Sequence, residues 1–124
     1  MEKEFVSYEM ALALKELGFN EPCYDNYNIY GKLWGLRLNK QTKIKGACLA
    51  PTFSQAFRFF REKYDLFGCI DLHVSTPLHW YVRIDKISIN DYLYHSEDDS
   101  IYYANYEDAE LACLMKLIEI VENI

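Results

Sequence analysis

Glycine is scarce in this chain: five residues that never cluster. No glycine-rich loop is therefore available to cradle a phosphate, and no G-x-S-x-G elbow presents a nucleophilic serine. Cysteine occurs four times, at 23, 48, 69 and 113, without a C-x-x-C pair and without histidine at metal-ligand spacing. That excludes the common zinc frameworks and predicts reduced thiols, with Cys113 a core residue inside a helical apolar run. No apolar run approaches the length of a membrane span, and Met1-Glu2-Lys3-Glu4-Phe5 lacks the apolar stretch of a secretory signal. A soluble, intracellular protein without a membrane partner is expected. Repeats, low-complexity tracts and linkers are also missing, and 124 residues suit one core, so a single domain over 1–124 is expected.

What is present is aromatic. Half of the chain is apolar and 16% is aromatic, which excludes disorder, and eleven tyrosines suit half-buried strands and partner-facing surfaces. The net charge of −6 is unevenly spread. Residues 37–63 hold Arg37, Lys40, Lys43, Lys45, Arg58, Arg61 and Lys63 against Glu62 alone, a segment of +6 in a remainder of −12. Such a segment is either a solvated helix face with a lysine-rich loop, or a site for an anion: a phosphate-bearing ligand or an acidic protein patch. Duplex nucleic acid is disfavoured as a partner, because the acidic remainder would repel it.

The stretch from Pro51 to Tyr64 is the best-specified element. Phe53, Ala56, Phe57, Phe60 and Tyr64 fall on one helical stripe, and Thr52 with Gln55 has the spacing of a capping box. An earlier helix is predicted over Ser7–Leu17, capped by Ser7 and stopped by Gly18-Phe19 as a Schellman motif. Residues 23–38 read as a β-hairpin turning at Gly31-Lys32, with Trp34, Leu36 and Leu38 on one face. The lysine-rich 39–46 loop then leads through 47–50 into the central helix.

A second hairpin is clearer. Ile70, Leu72 and Val74 alternate with Cys69, Asp71 and His73, and Leu78, Trp80, Val82 and Ile84 alternate with His79, Tyr81 and Arg83. A three-residue turn at 75–77 sets His73 opposite His79 and Asp71 opposite Tyr81. Residues 86–104 add one or two strands around an acidic 97–99 turn. A last helix starts at the Asn105 cap, with Leu111, Leu114, Ile118 and Val121 as its stripe. Leu117 and Ile120 widen that stripe, which points to deep burial or a homodimer contact. The fold class is therefore α+β, an antiparallel sheet of four to five strands with three helices in the order α-β-β-α-β-β-(β)-α.

Few residues carry chemistry. His73, His79 and Asp71 form the only group resembling a metal or acid–base site, and its plain reading is a solvated polar face. Zinc needs one more ligand than these supply, so neither metal nor cofactor is expected. Phe59 lies about 100° round the helix from the apolar stripe, between Arg58 and Arg61. It either packs beneath another element or belongs to an anion or nucleotide site, in which Arg58, Arg61, Arg37 and a lysine of the 40–45 loop meet the phosphates and Phe59 or Tyr81 lies against the base. Trp34 and Trp80 sit on apolar strand faces and read as core.

Three segments, Ser7–Phe19, Ala50–Tyr64 and Tyr106–Glu119, together resemble a family of small uncharacterised proteins encoded by phages and prophages of Bacteroides and related gut bacteria. The resemblance covers the three helices and carries no catalytic residue with it. It implies a phage accessory protein working in a bacterial cytoplasm. Such a protein, without catalytic motifs, is expected to bind a host or phage protein. The alternatives are sequestration of a small anionic ligand such as a nucleotide signal, or a small enzyme resting on His73, His79 and Asp71.

Overall fold

The computed structural model describes residues 4–74 and 78–124, and its class is α+β. The elements run α1 (Tyr8–Glu16), β1 (Asp25–Tyr27), β2 (Cys48–Ala50), α2 (Phe53–Tyr64), β3 (Leu66–His73), β4 (His79–Lys86), β5 (Asp91–His95) and α3 (Tyr106–Glu122). The order is the one expected, with the optional fifth strand present. The strands do not form one sheet, however. They form a two-stranded sheet, β1-β2, and a three-stranded sheet, β3-β4-β5, both antiparallel. Packing groups the chain into two compact units, one up to Ala56 and the other from Phe57 onward.

In the first unit, α1 begins where the Ser7 hydroxyl accepts from Met10 N at 3.4 Å. It ends as a Schellman motif: Phe19 N donates to Leu14 O and Gly18 N to Lys15 O, with Gly18 at φ +100°. Val6, Ala11, Leu14, Phe19, Leu49 and Ala50 are buried. Tyr27 adds its ring to this core and donates its hydroxyl to Val6 O at 2.6 Å, so its polar end is satisfied.

The hairpin expected over residues 23–38 forms only in part: the chain reverses and pairs antiparallel at two bridges, without a regular return strand. β1 pairs with β2, Asp25 opposite Ala50 and Tyr27 opposite Cys48, across more than twenty residues of chain. Toward residues 33–38 only isolated bridges form, Tyr27 with Leu33 and Cys23 with Leu38. The return side has one residue more than the 23–27 side between these bridges, so the backbone bulges at 34–37. The turn sits at Asn28–Gly31, closed by Gly31 N to Asn28 O at 2.9 Å, rather than at Gly31-Lys32. Trp34 and Leu36, expected on a buried strand face, are exposed for that reason, Trp34 at 64%.

Helix α2 opens on the expected capping box: Gln55 N donates to Thr52 Oγ1 at 3.2 Å, and Thr52 N donates to Gln55 Oε1 at 3.0 Å. It closes at Asp65, a left-handed residue at φ +61° whose carboxylate accepts from Ser88 N.

In the second unit the β3–β4 hairpin has the register read from the sequence, His73 opposite His79 and Asp71 opposite Tyr81. Its connection at 75–77 lies outside the described residues. β5 joins β4 with one extra residue, Leu93, between the pairs Ile84–Tyr94 and Asp85–Tyr92. Helix α3 is capped by Asn105, whose Oδ1 accepts from Asp108 N at 2.8 Å, and buries Ala109, Cys113, Leu114, Leu117, Ile118 and Val121. Gly68 on β3 makes the close packing possible, since a Cβ there would stand 2.8 Å from Cys113 Sγ and 3.0 Å from Leu117 Cδ1.

Candidate functional site

All three histidines of the chain sit on the polar face of the three-stranded sheet or at its rim. His73 and His79 stack with ring centroids 4.9 Å apart and planes 8° from parallel. Glu97 gathers the neighbours: its Oε2 lies 2.8 Å from His73 Nδ1 and accepts from the Tyr102 hydroxyl at 3.3 Å, while Oε1 is 3.8 Å from His95 Nε2. The Glu97 turn is held against the sheet by the buried Ser96, whose hydroxyl accepts from Val82 N at 2.9 Å. Tyr81 stacks on His95 at 5.0 Å, and Tyr102 meets both other imidazoles edge-on.

The remaining charges on this face satisfy one another. Arg83 lies 3.3 Å from Asp71 through Nη1 and 3.3 Å from Asp85 through Nε. The second contact is electrostatic, because Nε finds no acceptor at hydrogen-bonding geometry. Burial works against the charge on Arg83, but Asp85 and Asp71 outweigh it and raise its pKa further. Tyr81 is also raised, first by burial and then by Asp71 and Glu97. Cys69 donates to Asp71 Oδ1 at 3.4 Å, so the one half-buried thiol faces a carboxylate and its pKa rises, by burial first. Arg83 pulls the other way, but burial and Asp71 outweigh it, the reverse of the balance that makes a thiolate nucleophile. Among the described residues, no group of three His, Cys, Asp or Glu is placed to hold a metal ion. What remains is a Glu97–His73 pair that orients one imidazole, inside a lattice of stacked rings.

Of the other sequence-nominated residues, Arg58 is exposed on α2 with Glu62 4.0 Å away, and Arg61 is exposed one turn on. Phe59, between them, is buried with 5% of its surface accessible. It packs edge-on against Phe60 and Tyr64 at 5.4 and 5.7 Å, with Lys63 Nζ over the ring at 5.6 Å. The ring lies against protein rather than in solvent. Leu117 is likewise fully buried on α3, which accounts for part of that helix's apolar width and leaves Leu111 and Met115 facing outward. Arg37 belongs to the first unit and lies over the Tyr24 ring at 5.4 Å.

The feature that sequence reasoning missed is the loop around Arg37. Asp25 Oδ1 accepts from four backbone donors: Asn26 N at 2.8 Å, Trp34 N at 3.2 Å, Gly35 N at 2.7 Å and Leu36 N at 3.3 Å. Asn28 Oδ1 accepts from Tyr30 N and Lys32 N at 2.9 and 3.1 Å. Two short polar side chains thus fix the course of residues 25–36. The fixed backbone turns Tyr24, Ile29, Tyr30, Trp34 and Leu36 outward, Tyr30 with 79% of its surface accessible. The following loop is pinned as firmly. Lys15 Nζ donates to Ile44 O and Ala47 O, Tyr8 donates its hydroxyl to Gly46 O at 2.6 Å, and Gln41 bonds to Asn20, Phe19 and Leu49. Asp25 and Asn28, turn formers spaced three apart, were the signal available in the sequence.

Compared with known proteins, the chain matches no family model, no curated protein and no solved structure. Among the described residues, no helix is long and apolar enough to cross a membrane.

Proposed function

We propose that this chain is a non-catalytic binding protein that captures another protein through the loop Tyr24–Leu38. One observation carries the reading: five large apolar side chains face solvent there on a backbone that Asp25 and Asn28 hold in place. Single exposed apolar residues are ordinary, but their concentration in one loop is the mark of a contact surface. Trp, Tyr and Arg are the residue types that anchor protein interfaces, and a loop already ordered loses little entropy when it is covered. In the setting that the sequence resemblance implies, the chain is a phage accessory protein and the partner a host or phage protein of the bacterial cytoplasm.

The test is capture from host cells by the wild-type chain and by Trp34→Ala and Tyr30→Ala. A partner retained in fixed ratio by the wild type, and lost from variants that melt at the same temperature, is expected. Equal capture by all three chains overturns the reading. So does a rise in melting temperature with nucleotides that disappears in Arg58→Ala, which belongs to a small anionic ligand instead.

A further inference from the structure

We infer that the partner presents an acidic, amphipathic polypeptide segment to this loop. The inference rests on the binding reading above and adds the chemistry of what is bound. From Asn26 to Arg61 the chain contains no Asp or Glu, while Lys32, Arg37, Lys40, Lys43 and Lys45 fall in the same stretch and are exposed. Asp25, the acid that borders the stretch, has its Oδ1 turned to four backbone N–H groups. Lys15 offers no charge of this kind, because its ammonium is held by the carbonyls of Ile44 and Ala47. Among the described residues, none of the five exposed cations is in an ion pair, and Arg37 instead covers the Tyr24 ring.

Two kinds of partner use cations beside aromatic rings. A single-stranded nucleic acid stacks bases on the rings and lays phosphates along the cations, but has no use for aliphatic side chains. Here Ile29, Leu36 and Ile44 are exposed among the same residues, Ile44 at 61% between Lys43 and Lys45. A polypeptide with Leu or Phe on one face and Glu or Asp around it uses all three kinds of side chain at once. Its carboxylates meet the rim of cations, speeding encounter and fixing orientation, while its apolar face covers Trp34 and the aliphatics.

The experiment uses the full chain with Trp80→Phe, so that Trp34 is its one tryptophan and reports from the loop. Three probes are titrated: a synthetic helical peptide with Leu and Phe on one face and Glu elsewhere, the same peptide with Gln for every Glu, and an oligothymidylate. The acidic peptide is expected to shift Trp34 emission to the blue and to bind at least about tenfold more tightly than its Gln counterpart. High salt, or K40Q, K43Q and K45Q together, should remove that advantage. Equal binding of the two peptides overturns the charge inference and leaves the binding function standing. Binding of the oligothymidylate with neither peptide bound overturns both. Silence from all three probes, while capture from host cells still depends on Trp34, overturns this inference alone.

Discussion

At the scale of single residues, Asp25 is the most informative side chain. Its backbone is the first residue of a strand, yet one of its carboxylate oxygens organises a loop ten residues further along. Charge-assisted acceptors of this kind contribute more than neutral ones, and the Trp34, Gly35 and Leu36 donors are exposed enough for water to take over part of the role. Asp25→Ala is therefore expected to cost about 1–2 kcal/mol of stability. In the Trp80→Phe background it should also lower the fluorescence anisotropy of Trp34. Asp25→Asn keeps one acceptor oxygen and should retain most of the anisotropy; an unchanged signal in Asp25→Ala would show that the loop holds itself. Glu110 offers a second test. Its carboxyl is raised, first by burial on α3 and then by Glu107. The folded chain thus binds that proton more tightly than the unfolded chain, and stability falls as pH rises through the window above the ordinary Glu value of about 4.3. Glu110→Gln should melt higher than the wild type at neutral pH and equal to it near pH 3, measured by thermal unfolding at both.

At the scale of elements, the sheet of the second unit depends on a missing side chain. Gly68 stands opposite Ile84, and the space above it is filled by Cys113, Leu117 and Phe57, with Phe57 Cε1 3.0 Å from where a Cβ would be. Gly68→Ala forces these neighbours apart and is expected to destabilise by about 1–3 kcal/mol. Adding Cys113→Ala, which removes the nearest atom at 2.8 Å, should return part of that loss. Denaturant midpoints of the two single variants and the double variant decide it, and strict additivity would place the strain elsewhere. Gly68 was not singled out in the sequence, but its strand was. The Thr52–Gln55 box, the Gly18-Phe19 stop, the Asn105 cap and the β3–β4 register are all set by residues a few positions apart, so spacing alone reveals them. The β1–β2 pairing joins residues over twenty positions apart, and its partner segment is too short to show alternation. The exposure of Trp34 depends on a bulge that a carboxylate elsewhere stabilises, so the apolar alternation of 34, 36 and 38 misled. Phe59 lies off the helical stripe and is nevertheless buried, because Tyr64 and Phe60 on its own helix help to cover it.

At the scale of the whole molecule, charge and thiol chemistry are each distributed in a way that has consequences for the entire chain. The acid-free stretch from 26 to 61 has six acids before it and thirteen from Glu62 onward, so a basic middle is flanked along the sequence by acidic segments on both sides. The thiols are divided evenly instead: Cys23 and Cys48 in the first unit, Cys69 and Cys113 in the second. Burial pushes Cys23 up to about 12, Cys48 to about 11 and Cys113 to about 12. An unfolded thiol ionises near pH 8.5, so between that pH and about 11 the unfolded chain sheds protons that the folded chain keeps. Fewer protons on the unfolded state means that stability falls as pH rises, by up to about 1.4 kcal/mol per pH unit for each thiol that behaves this way. Because each unit holds at least one such thiol, both should weaken in the same alkaline window. The measurement is unfolding free energy from pH 8 to pH 10.5 for the wild type and for Cys113→Ala. The variant should start lower, having lost core volume, and then decline less steeply. Parallel curves would mean that the buried Cys113 thiol does not keep its proton, and would remove it as a source of alkaline instability.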